Sequence, residues 1–124
     1  MVLRVDMVVD GKWVESLGLS YSMESEIRVL EAVFPKRHWS DSNTESRNWF
    51  TDYPGATGEP PAFDFVANED AAREAMEDYM NEVTDDDTYP LPDAQAEWVK
   101  DFWRVYNAGL ALQRQGKTPR VSIG

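Results

Sequence analysis

His38 is the only histidine in the chain, and Asp41 and Glu45 follow it within seven residues. An imidazole beside a carboxylate can serve as a general base, because the carboxylate holds the ring in one tautomer and stabilises the cation that forms. A small enzyme built around His38, Asp41 and Glu45 is therefore one reading. A packing or surface histidine is the plainer one, since nearness along the chain does not bring a base to its orienting group. Other catalytic patterns are missing. No serine lies in a Gly-x-Ser-x-Gly turn, and there is no glycine-rich phosphate loop or dinucleotide fingerprint. With no cysteine there is no thiolate nucleophile, no disulfide framework and no Cys-based zinc or iron–sulfur site. No cofactor is expected.

Asp85, Asp87, Tyr89 and Asp93 superficially match the ligand spacing of a calcium loop. That loop needs glycine at its sixth position and glutamate at its twelfth, where Pro90 and Ala96 stand. Solvated turn charges are the simpler account, and no metal site is expected.

The acidic residues carry a stronger signal. Residues 1–40 hold a net charge of −1, residues 41–90 hold −12 and residues 91–124 hold +2, so the middle segment supplies essentially the whole formal charge of −11. At helical spacing, Asp70, Glu74, Glu77 and Asp78 share about 100° of arc, opposite an apolar stripe. Glu69 and Glu82 flank them, and Asp85, Asp86 and Asp87 extend the patch. The i,i+4 pairs Asp70–Glu74, Glu74–Asp78 and Asp78–Glu82 each cost about 0.2–0.5 kcal/mol, and Arg73 is expected to offset part of this through Glu69 and Glu77. Two readings stand side by side: a solvated acidic face, and a docking surface for a basic partner. Trp39 and Trp49 lie in an irregular segment, where each could be either a partner-facing anchor or a pin that holds the loop to the core.

The elements that must position these residues suggest an α+β fold in one domain spanning 1–124. Alternation of Leu3, Val5 and Met7 with Arg4 and Asp6 predicts a β-hairpin over 2–19, turning at Asp10-Gly11. A three-residue loop, Val9 to Gly11, sets Met7 opposite Trp13 and Leu3 opposite Leu17. A two-residue loop sets Asp6 opposite Glu15, a like-charge pair, so the longer loop is expected, with Trp13 on the buried face. Met23, Ile27, Leu30 and Phe34 predict a helix over 23–34, capped by Ser22 and stopped by Pro35. Residues 36–61 have no sustained period and form a long irregular loop, pinned by Trp39, Trp49, Phe50 and Tyr53.

Ala62 to Val66 suit a short strand, with Phe63 and Phe65 on one side, and Asn68 then caps a helix over 69–83. Its apolar stripe comprises Ala72, Ala75, Met76, Tyr79, Met80 and Val83. A third helix over 93–115 ends at Gly116, and Trp98, Val99, Phe102, Trp103, Val105, Tyr106, Leu110 and Leu112 make it the expected centre of the core. Arg120 to Ile123 suit a last edge strand. The hairpin, extended in this way to a three- or four-stranded antiparallel sheet, packs on three helices.

The apolar runs are only a few residues long, so no membrane span is expected, and the N-terminus lacks the apolar stretch of a secretory signal. A soluble cytoplasmic protein is the expectation. A pI near 4.4 opposes direct binding to nucleic acid or anionic lipid. The function that fits is a non-enzymatic module binding a basic protein or nucleoprotein complex. By size and charge alone it suits a phage or mobile-element inhibitor of a defence system, as anti-CRISPR and anti-restriction proteins are. A toxin-neutralising immunity protein, the His38-centred enzyme and a structural subunit of a larger assembly are the alternatives.

Overall fold

The computed structural model describes residues 3–19, 24–39, 60–84 and 93–124. The chain runs β1 (Leu3–Val9), β2 (Lys12–Leu19), α1 (Glu24–Val33), a 3-10 turn at Lys36–His38, α2 (Glu69–Thr84), α3 (Asp93–Arg114) and β3 (Arg120–Ile123). The strands form one antiparallel sheet in the order β2-β1-β3. This is the expected α+β architecture of a hairpin, a third strand and three helices.

The hairpin turns more tightly than expected. Val9 pairs with Lys12, which leaves the two-residue turn Asp10-Gly11, with φ of 53° and 77°. Positive φ at both positions is the geometry whose twist matches a right-handed pair of strands. The like charges are separated by a β-bulge instead of a longer loop. Val8 faces Trp13 while Met7 faces Glu15, so Val14 is the extra residue and Asp6 comes opposite Ser16. Trp13 consequently lies on the outer face, 60 % exposed, with the Arg4 guanidinium 5.9 Å from its ring centre, and not in the core. Val5, Met7 and Leu17 occupy the inner face, buried together with Phe102, Val105 and Tyr106 of α3. Glu15, at the rim of that face, pairs with Arg104 of α3.

Residues 62–66 do not form a strand. Only an isolated bridge joins Ala62 to Arg120, and the chain then turns at 65–68. The Gln113 side chain supplies the bonds that a neighbouring strand would have made. Its Oε1 accepts from the Phe65 amide at 2.7 Å and its Nε2 donates to Asp64 Oδ1 at 2.7 Å. The cap of α2 also differs from expectation. The Asn68 carbonyl accepts from Ala72 N–H, but its side-chain amide donates back to the Asp64 carbonyl. Phe63 and Phe65 are buried all the same, stacked edge-on to one another and to Tyr106.

α1 ends ahead of Pro35, as expected; the Ser22 cap lies outside the described residues. Gly116, at φ 85°, closes α3, and the Lys117 amide reaches back to the Leu112 carbonyl at 3.0 Å. The stripe of α2 is narrower than expected. Ala72, Ala75, Met76 and Tyr79 are buried, whereas Met80 is 43 % exposed; the Val83 side chain lies outside the described set.

Candidate functional site

α2 presents its acids to solvent because its apolar residues are drawn to the opposite side. Asp70, Glu74, Glu77 and Asp78 are all exposed along one face. The helix packs through its other side on α1. At about 1.5 Å rise per residue, the four carboxylates are strung along about 12 Å of helix axis.

Ion pairs within the fold trim both ends of this row. Glu69 pairs with Arg73 at 3.6 Å and with Arg114 of α3 at 3.9 Å. Glu82 is held by Arg28 of α1 at 2.7 Å. Arg73 bonds Asp70 at 3.0 Å, turning toward the helix N-terminus and not, as expected, toward Glu77 as well. Glu74, Glu77 and Asp78 take no ion pair among the described residues, and they are the free centre of the patch. Asp85, Asp86 and Asp87 lie outside the described residues, as does Trp49. No local signal in the sequence marks Arg28 or Arg114 as partners of this face, since each reaches it from another helix.

Trp39 is committed to the body of the fold. It is half-buried against the core, its indole N–H donates to the Phe34 carbonyl at 3.1 Å, and its backbone bridges Ile123 of β3. His38 is fully enclosed. Its Nδ1 lies 2.9 Å from the Val121 carbonyl, so the neutral ring donates there, and Phe63 meets it edge-on. Burial holds its pKa below the ordinary 6.5; the Val121 carbonyl opposes that shift and the nearby Arg37 charge adds to it. Asp41 and Glu45, the carboxylates considered as its orienting partners, lie outside the described residues.

A small void between Val5, Leu17, Phe34, Phe102 and Tyr106 is apolar, and the Tyr106 hydroxyl is already donating to the Phe65 carbonyl at 2.7 Å. Such a void has no free polar group to orient a substrate. Among the described residues no cluster of histidines and carboxylates could hold a metal ion, and no helix is long and apolar enough to cross a membrane. Comparison with protein-family models, curated proteins and solved structures gives no match to this chain.

Proposed function

We propose that the protein is a non-enzymatic interaction module that docks a basic, nucleic-acid-binding partner protein on the exposed face of α2. One observation carries this reading: Glu74, Glu77 and Asp78 stand exposed on one face of a packed helix, with no cation from any described residue paired to them. The three carboxylates Glu74, Glu77 and Asp78 fall within about 6 Å of helix axis, a local charge density comparable to that of one DNA strand, about one charge per 3.4 Å. A groove built to receive a phosphate backbone would therefore meet a matching field. The match is short, because 11 net charges equal roughly 19 Å of duplex. The partner's contact is thus local, such as one subunit's groove in a defence complex acting in the cytoplasm. An enclosed His38, with one ring nitrogen engaged by Val121, supports a non-enzymatic role.

The test compares the wild-type chain with the quadruple variant Asp70→Asn, Glu74→Gln, Glu77→Gln, Asp78→Asn in capture from the native host, at low and high salt. A partner lost at high salt, weakened at least tenfold by the variant and competed off by duplex DNA agrees with the proposal. A partner that the variant retains in full overturns it.

A further inference from the structure

We propose that Glu26, Tyr79 and Trp98 form a proton-operated latch at the junction of α1, α2 and α3, closed when the Glu26 carboxyl is neutral and loosened when it ionises. This inference is independent of the acidic-face reading. The three side chains come from three different helices and are 5 %, 1 % and 7 % exposed. Glu26 faces the Tyr79 hydroxyl, and the Trp98 ring lies 5.2 Å from that of Tyr79. Yet Glu26 Oε2, Tyr79 Oη and Trp98 Nε1 have no well-formed hydrogen bond with any described residue. Most buried side-chain polar atoms in native structures have a partner, so three unpartnered ones on these neighbouring helices mark packing that is not at its polar optimum.

The charges around the cluster set its direction. From α2, Tyr79 and Glu82 act on Glu26, and Glu82 repels its negative form. Arg28, on the same helix as Glu26, is turned outward to Glu82. α3 contributes the uncharged Trp98 indole, and no cation among the described residues opposes the burial of a carboxylate here. Burial therefore raises the Glu26 carboxyl above the ordinary 4.5, against the pull of its own backbone N–H and of the Tyr79 hydroxyl. A carboxyl raised in this way supports the fold fully below its unfolded pKa and withdraws that support as pH climbs through the folded one. The element loosened is the contact of α1 with α2.

Unfolding free energy of the full chain measured from pH 4 to 8, together with the NMR signal of the Trp98 indole N–H, tests the latch. The wild type should lose stability on rising above pH 4.5 while the Trp98 resonance follows a titration with its midpoint above that value. Glu26→Gln should abolish both effects. Tyr79→Phe, which removes the hydroxyl facing the carboxylate, should move the midpoint higher, and it provides the test if the Gln variant does not fold. A Trp98 signal that does not titrate, a midpoint at or below 4.5, or a midpoint unmoved in Tyr79→Phe would overturn the proposal.

Discussion

Arg28 of α1 reaches across to Glu82 of α2 at 2.7 Å and neutralises the C-terminal end of the described acidic row from within the fold. Both side chains are about half exposed, so the pair contributes about 0–1 kcal/mol to stability. Its larger effect is on which carboxylates remain for a partner.

Glu82→Gln should therefore change partner affinity less than twofold, whereas Glu77→Gln should slow association several-fold at low salt, with the difference fading as salt rises. Stopped-flow association of each variant with the captured partner checks this ordering. Equal effects of the two substitutions would mean that the ion pair does not divide the patch.

His38 gives the fold a second pH dependence, opposite in sign to that of Glu26. Its folded pKa is lowered, so its contribution is complete above the unfolded value of about 6.5 and is lost as pH falls through the folded one. The unfolded chain binds a proton that the enclosed ring refuses. His38→Gln should flatten the loss of stability below pH 6.5 in urea titrations at successive pH values, while leaving the alkaline limb set by Glu26 unchanged. An acid limb of unaltered slope would show that the enclosed ring takes up its proton as readily as the unfolded chain does.

How far these positions were legible from sequence depends on the range of the interactions involved. The α3 stripe, the Gly116 stop and the position of the turn at Asp10-Gly11, though not its length, are local and could be read directly, because spacing and backbone preference act within a few residues. The bulge at Val14 could not, since a single extra residue leaves a recognisable alternation on either side of it. Gln113 captures the Phe65 amide from 48 residues away, so a segment with strand-like residues becomes a turn. At the candidate site the exposed row followed from helical spacing. Arg28 and Arg114 trim it only because α1 and α3 pack beside α2.

Gly109 of α3 is required by the Phe65 ring. A Cβ at Gly109 would lie 2.5 Å from Phe65 Cε1 and Cζ, and that ring is wedged against Phe63 and Tyr106. Alanine gains about 1 kcal/mol in helix propensity. Overpacking costs about 1–3 kcal/mol and prevails here because the ring has nowhere to move. Gly109→Ala should thus destabilise the protein by up to about 2 kcal/mol in chemical unfolding, against the propensity trend. Adding Phe65→Leu should make the Gly109→Ala step less costly than it is in the wild-type background.

Deletion of Val14 tests the account of the hairpin. In the observed register Val8 faces Trp13, Met7 faces Glu15 and Asp6 faces Ser16, with Val14 alone unpaired. Removing it leaves each of these pairs in place and converts the bulged strand into a regular one, at the cost of a side chain that is 42 % exposed. Deleting Ser16 has a different consequence. It shifts Leu17 by one position and turns it from the core face to the outer face, because side chains alternate strictly along a strand. The Val14 deletion should therefore fold, with Arg104 still reaching Glu15, while the Ser16 deletion should lose most of its stability through exposure of Leu17. Thermal unfolding of the two single-residue deletions checks the contrast. If the Val14 deletion is as damaging as the Ser16 deletion, the bulge itself, with its added twist, is needed to close the sheet over α3.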